Sequence, residues 1–329
     1  MSTLVLHIGS HKTGTTSIQH ACRFALPTTG AVRCHYFNIR PSGVRVLANA
    51  GSGADFGATV DLGSADQVFR PVTGPDAPDL YVTSDEEFFW IHEPDGVHRL
   101  ADLLKARFET IRILCYLRRQ DLLALSHRKQ VLSDTPATRF YGVTATPLPE
   151  YQPHLANYFD YAAKLADIWA SAFGKDNITL VPFEKPHLAQ GDAVADFASR
   201  LGITFGAYDA EPANSSYAGN QTFLGLLLAE AKIPRKERLQ IVRSLPERGR
   251  FLPSRDEARA FLSHFAAANE RLAREWQYNG GPFIFDAAFD MYPETATSTW
   301  DSTDVADMIA AVLAREQEKP GAKGRRAAS

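Results

Sequence analysis

Between an aliphatic run, Leu4-Val5-Leu6-His7-Ile8, and a helix-patterned stretch from Thr15, the chain reads Gly9-Ser10-His11-Lys12-Thr13-Gly14-Thr15-Thr16. Glycines spaced in this way let a backbone turn so that successive N–H groups point inward, and a helix N-terminus behind them adds a partial positive charge. The pattern is that of a phosphate cradle, with Thr15 and Thr16 supplying hydroxyl donors from the first helical turn. A loop built for a nucleoside triphosphate places lysine directly after the second glycine. Here Thr15 holds that position, and the lysine stands two residues before Gly14, at Lys12. From inside the loop an ammonium group can reach the bridging oxygen between a phosphate and the group being transferred. There it would neutralise charge that develops on the leaving oxygen. A glycine turn that merely joins strand to helix would account for the glycines but not for the lysine.

A second anion-binding pattern follows another aliphatic run. Ile113-Leu114-Cys115-Tyr116-Leu117 ends in Arg118, and Ser126 comes eight positions later. A guanidinium at a strand's edge can fork onto phosphate oxygens. A serine about two helical turns on can donate to the same surface. Arg119 and His127 neighbour the pair, and a solvated basic edge is the plain alternative. A third patch, Glu247-Arg248-Gly249-Arg250-Phe251-Leu252-Pro253, is a basic glycine turn of a kind common on surfaces.

Transfer to a hydroxyl needs a base beside the acceptor oxygen. The strand-like Leu80-Tyr81-Val82-Thr83 runs into Ser84-Asp85-Glu86-Glu87, so carboxylates emerge where open α/β sheets bind ligands. Glu86 is the first candidate, Glu87 the second because a one-residue slip stays open, and His92 the histidine alternative. A solvated acidic turn and an ordinary lone histidine are the competing readings.

The phosphate loop resembles that of the sulfotransferase family, in which a lysine shortly precedes Gly-Thr-Thr or Gly-Thr-Ser. The bacterial branch resembles this chain closely, down to His7-Ile8-Gly9-Ser10-His11-Lys12-Thr13-Gly14-Thr15-Thr16-Ser17-Ile18-Gln19. The resemblance implies 3′-phosphoadenosine-5′-phosphosulfate as donor, adenosine 3′,5′-bisphosphate as product and no metal. It assigns the 5′-phosphosulfate to His11, Lys12, Thr13, Gly14, Thr15 and Thr16, and the 3′-phosphate to Arg118 and Ser126. Arg248, Gly249 and Arg250 resemble the basic loop that closes over the nucleotide in the carbohydrate-sulfating branch, with Arg248 in place of a lysine. That branch often uses a glutamate after the second core strand, which suits Glu86, whereas the cytosolic small-molecule branch uses a histidine. The acceptor implied is a hydroxyl on a glycan or glycolipid, with a small alcohol or phenol also open. The region 28–79 shows no likeness. Two rivals stay in view: a P-loop kinase or NTPase with Asp85-Glu86 as its metal-binding acid, and a catalytically idle nucleotide-binding protein of the same fold.

Strands alternating with helices predict an α/β class with a central parallel sheet flanked by helices, a P-loop-like three-layer fold with helical insertions. Strands are expected near 4–8, 80–83, 111–117 and 178–183. Helices are expected over 15–26, from Pro94 to about 107, over 121–132 and 158–172, and near 194–201. Ser254 and Glu257 fit a capping box ahead of the stripe Phe261, Phe265, Ala268, Leu272. One domain is expected over 1–315, with an irregular insertion at about 28–79 and a lid-like loop at about 133–153; a flexible tail follows over 316–329. Tyr151, Tyr158 and Tyr161 could line an acceptor cleft or belong to the core.

The 329 residues are 45% hydrophobic and 22% charged, an ordinary globular balance. A formal net charge of −3 gives no global attraction to nucleic acid or to acidic membranes, so an anion site must be a local cluster of donors. Cys22, Cys34 and Cys115 are too scattered for a disulfide framework or a zinc site and read as buried apolar residues in a reducing compartment. No signal peptide is legible, and no run approaches the roughly 20 apolar residues of a membrane helix, so a cytoplasmic location is expected.

Overall fold

Four largely apolar runs, with one short edge strand beside them, form one parallel sheet, as such runs do when helices cover both sides. The computed structural model describes residues 2–29, 32–39, 44–132, 135–209, 217–297 and 300–318. In chain order the longer strands are β1 (Thr3–His7), β2 (Cys34–Tyr36), β3 (Arg45–Ala48), β4 (Ala58–Asp61), β5 (Leu80–Ser84), β6 (Thr110–Leu117) and β7 (Ile178–Pro182). The sheet order is β2-β5-β1-β6-β7, and β3 with β4 makes a separate antiparallel pair. The longer helices are α1 (Thr15–Phe24), α2 (Pro94–Lys105), α3 (Gln120–Arg128), α4 (Thr135–Tyr141), α5 (Ala193–Leu201), α6 (Gly219–Glu230), α7 (Arg235–Ser244), α8 (Arg255–Ser263), α9 (Ala266–Glu275) and α10 (Ser302–Glu318).

β1 lies at the centre, with His7 level with Ser84 of β5 and with Leu114 of β6. All three strands run in the same direction, so the segments that follow them emerge at one edge of the sheet. The chain leaves β1 for a partner on either side, which makes this edge the crevice where open α/β sheets bind ligands. Leu4, Leu6, Val82, Ile113 and Leu117 are wholly or almost wholly buried in the sheet. Each such side chain stabilises the fold by about 1.5–3 kcal/mol relative to exposure.

The expected core strands and helices are present, with ends shifted by a few residues. The helix expected over 121–132 is α3 followed by a tighter turn over Lys129–Leu132. The region 28–79, expected to be irregular, supplies an edge strand, β2, and the β3–β4 pair. Its strands are short and half exposed, so they lack the continuous apolar runs that mark the central ones. Part of the stretch 133–153, expected as a lid-like loop, is α4, and Pro136 is tolerated because it falls in the first turn. The 158–172 pattern is helical but carries a π-helical segment, Ala163–Trp169. The expected flexible tail lies outside the described residues beyond 318.

Where the sequence reads as one domain over 1–315, contacts divide the chain into two compact units. The first comprises Met1–Leu123, Tyr151–Asn214 and Leu262–Ala287, and contains the parallel sheet. The second comprises Ala124–Glu150, Ser215–Phe261 and Ala288–Ser329. In the second unit the Arg238 guanidinium of α7 donates to the carbonyl of Leu132 at 3.0 Å. The capping box at α8 is formed in both directions: Ser254 N–H donates to Glu257 Oε2 at 2.6 Å, and Glu257 N–H to Ser254 Oγ at 3.2 Å. Among the described residues no helix is long and apolar enough to cross a membrane.

Candidate active site

The loop after β1 takes its form from two glycines and a strained lysine. Gly9 has φ 95° and Gly14 has φ 78°, both in the left-handed region that favours glycine. A Cβ on Gly9 would lie 3.0 Å from both Cα and Cβ of Glu86, so the missing side chain lets the loop settle onto the segment after β5. A Cβ on Gly14 would lie 2.7 Å from the Cβ of Ala193, where α5 begins. Lys12 also has a positive φ, 60°, which is uncommon for a residue with a side chain and frequent at functional sites.

Gly14 is the N-cap of α1; it offers no side-chain cap, and the first turn holds no acidic residue. The first-turn N–H groups are therefore left for an anion from outside the helix. Thr13 Oγ1 and Thr15 Oγ1 instead brace the loop from within, donating to the carbonyl of Ser10 at 2.6 and 3.3 Å. Of the two threonines expected to offer hydroxyls, Thr15 is buried against the loop and Thr16 is exposed on the first turn.

Charge gathers at this edge. Arg118, just past β6, donates from Nη1 to the carbonyl of Lys12 at 3.3 Å, and its own carbonyl accepts from the hydroxyl of Tyr161 at 2.8 Å. The Lys12 ammonium is held below the ordinary lysine range, first by desolvation, then by repulsion from Arg118, with attraction from Glu86 opposing both. The side chain is still reached by water, so its desolvation is partial and the two neighbouring charges frame it. Glu86 is half-buried, and its Oε2 accepts from Gln19 Nε2 at 2.8 Å. Asp85 caps the short turn Glu86–Trp90 by accepting from the N–H of Glu87 at 3.0 Å, which orders the acidic run.

His11 is buried beneath the loop. Its Nδ1 lies 2.7 Å from Tyr158 Oη, its Nε2 lies 3.9 Å from Glu87 Oε1, and its ring meets Trp90 edge-on. Its imidazole thus links the loop to Glu87 and to Tyr158. His7, at the end of β1, is wholly buried against Ser84 Oγ at 2.7 Å, and burial pushes its pKa down to about 3, so it is neutral near pH 7.

His92 is half-buried, with Nδ1 3.4 Å from the carbonyl of Trp90. Burial, then the charge of Lys164, lowers its pKa against the opposing Trp90 carbonyl and Glu93. Arg119 forms a buried two-pronged pair with Asp121 at 2.7 and 2.9 Å, so it serves the fold, not a ligand. Among the described residues no group of three or more His, Cys, Asp or Glu side chains is placed to hold a metal ion.

Ser126 and the Arg248-Gly249-Arg250 loop belong to the second unit. There the loop caps α6: the N–H groups of Gly219 and Asn220 donate to the carbonyls of Gly249 and Arg248 at 3.0 and 3.1 Å. Gly249, with φ 62°, makes the turn. The Arg248 guanidinium pairs with Asp307 and lies 3.6 Å from Asp304, both on α10, so its charge is already balanced within the unit. Arg250 is exposed, and the three residues line a cavity of about 190 Å³ together with Phe223, Phe251 and Trp300. Ser126 is half-buried on α3.

The structure therefore brings Lys12, Glu86, Glu87, Arg118 and His11 to one sheet edge. Sequence reasoning gave no role to Gln19 or to Lys164. Gln19 is only a polar residue on a helix until the fold places it over β5. Lys164 is 2% exposed, donates to the carbonyl of Ile91 at 2.7 Å and lies over the rings of Phe89 and Tyr158. Burial pushes its pKa down to about 7. Nothing in the local sequence separates it from an ordinary surface lysine.

No family model matches the chain. An uncharacterized protein of Archaeoglobus fulgidus is 30% identical over 198 residues, which is 56% of this chain and 52% of that protein. The chain thus spans about half the length of the curated relative it matches. Among solved structures, a sulfotransferase from Alicyclobacillus acidocaldarius is similar at a TM-score of 0.35 and 17% identity, over 72% of this chain and 93% of that one. A likeness of that degree carries no weight for function.

Proposed function

We propose that this chain is a sulfotransferase that moves the sulfuryl group of 3′-phosphoadenosine-5′-phosphosulfate to a hydroxyl acceptor. The observation that carries the reading is the placement of Lys12. It sits inside an uncapped glycine loop, where its ammonium feels the charges of both Arg118 and Glu86. A kinase or NTPase loop would need the lysine where Thr15 stands, and the Thr15 hydroxyl is turned inward to Ser10.

In the reaction, the bond between sulfur and the bridging phosphate oxygen breaks as a bond from sulfur to the acceptor oxygen forms. Lys12 neutralises the charge left on the phosphate oxygen, and the first-turn N–H groups of α1 hold the phosphate itself. Glu86 takes the acceptor's proton, with Glu87 as second choice and His92 as third. No step calls for a metal. Arg118 is assigned to the 3′-phosphate, the group that distinguishes this donor from ATP. Ser126, Arg248, Gly249 and Arg250, which the motifs also suggest, belong to the second unit, where Arg248 already shares its charge with Asp304 and Asp307. A carbohydrate or glycolipid hydroxyl, sulfated in the cytoplasm, is the finer form of the proposal. It rests on the resemblance of the motifs.

Arg118→Ala tests the donor assignment. The variant should bind adenosine 3′,5′-bisphosphate about 10- to 100-fold more weakly, the loss of a charge-assisted pair. Its affinity for adenosine 5′-phosphosulfate, which lacks the 3′-phosphate, should change by less than about threefold. Titration calorimetry with both ligands reads the difference, and equal losses for the two would remove Arg118 from the 3′-phosphate.

A further inference from the structure

Helix α1 leaves the phosphate loop at Gly14, and its second turn carries Gln19 back over the end of β5. Gln19 Nε2 donates to Glu86 Oε2 at 2.8 Å and to the main-chain carbonyl of Ser84 at 3.2 Å. An amide nitrogen has two protons, so both bonds form at once. The opposite amide orientation would set an oxygen against two acceptors, which fixes the orientation of the side chain. One bond thus ties Gln19 to the strand, and the other ties the carboxylate to Gln19.

We propose that Gln19 is a positioning residue for the base: it anchors one oxygen of Glu86 to the end of β5 and so fixes how the carboxylate presents itself to the acceptor hydroxyl. The inference rests on the proposed role of Glu86. Among the groups whose charge or hydroxyl bears on Glu86 are Lys12 from the loop and Tyr36 from β2, with Asp85 and Glu87 in its own segment. Burial raises the Tyr36 hydroxyl well above the ordinary tyrosine range, so it is a neutral neighbour. Lys12 attracts the carboxylate without directing it, whereas the Gln19 bond sets an orientation. The helix that presents its N-terminus to the donor would then also aim the base, which couples the donor and acceptor halves of the site through one rigid element.

The test is a double-mutant cycle of Gln19→Leu and Glu86→Ala. Gln19 is half-buried, and leucine is close to it in volume. In the parent background Gln19→Leu should lower kcat by about 10- to 100-fold, the cost of misplacing a reacting group, with the KM for donor unchanged within about twofold. In the Glu86→Ala background the same change should cost less than about twofold. Equal losses in both backgrounds, or a loss confined to the donor KM, would overturn the proposal. If the parent transfers no sulfate to any acceptor, that failure belongs to the proposed function, and thermal unfolding of the same four proteins decides the inference. Coupled side chains predict that Gln19→Leu lowers Tm more in the parent than in the Glu86→Ala background, where only the bond to the Ser84 carbonyl is left to lose, whereas equal drops overturn it.

Discussion

Lys12→Ala should abolish nearly all sulfuryl transfer while the protein folds as the parent does. Removing one preorganised donor from a developing oxyanion costs about 10²- to 10³-fold in rate, and a full ammonium charge belongs at the upper end of that range. The fold has little to lose. The Lys12 side chain is exposed, and the bond from Arg118 reaches its main-chain oxygen, which alanine keeps. The positive φ of 60° is equally unfavourable for both residues, so the substitution adds no new backbone strain. Affinity for adenosine 3′,5′-bisphosphate should fall much less than kcat, because the charge that Lys12 meets is greatest in the transition state. Steady-state kinetics with calorimetric binding checks this, and turnover within tenfold of the parent would remove Lys12 from the leaving-group role.

The second large effect is expected for Glu86→Gln. The amide keeps the shape of the side chain and its carbonyl can still accept from Gln19, so the hydrogen bond at 2.8 Å has a replacement. What is lost is the base, which is worth about 10²- to 10⁴-fold in kcat. Donor binding should change by less than about threefold. There is also a consequence for pH. The negative charge of Glu86 opposes the lowering of the Lys12 pKa by desolvation and Arg118. Without it the Lys12 ammonium deprotonates at lower pH, so any residual activity should lose its basic limb earlier than the parent. The pH–rate profile of the variant reads this. Near-parent turnover would move the base to Glu87 or His92.

Much of the sheet was legible because its central strands are continuous apolar runs ended by chemistry: Leu4–Ile8 by a glycine loop, Leu80–Thr83 by acids, Ile111–Leu117 by Arg118. Once those strands are parallel, their C-terminal ends must share an edge, and the distances between the motifs in sequence cease to matter. The region 28–79 was not legible because β2, β3 and β4 are short and partly exposed. The helix α4 was hidden by the prolines and threonines around it. Within the proposed site, spacing singled out Lys12, Glu86 and Arg118, since each stands in a loop or at the end of a strand. It could not locate Gln19, nor choose between cleft and core for Tyr158, because both depend on which face of a helix turns toward a segment distant in the chain. Arg248 shows the opposite case. Its basic glycine turn looked like a ligand loop, yet in the fold it caps α6 and pairs with two aspartates of α10.

The central claim is the identity of the donor, and one measurement addresses it without any knowledge of the acceptor. Thermal unfolding of the parent protein is followed with adenosine 3′,5′-bisphosphate in the presence of a chelator, and separately with ATP and Mg²⁺. A ligand that binds only the folded state at about 100 times its Kd stabilises it by about 2.7 kcal/mol, enough for a clear rise in Tm. The bisphosphate should raise Tm without metal, and ATP with Mg²⁺ should not. A rise with ATP and Mg²⁺ alone would contradict the sulfotransferase reading and return the loop to a kinase or NTPase.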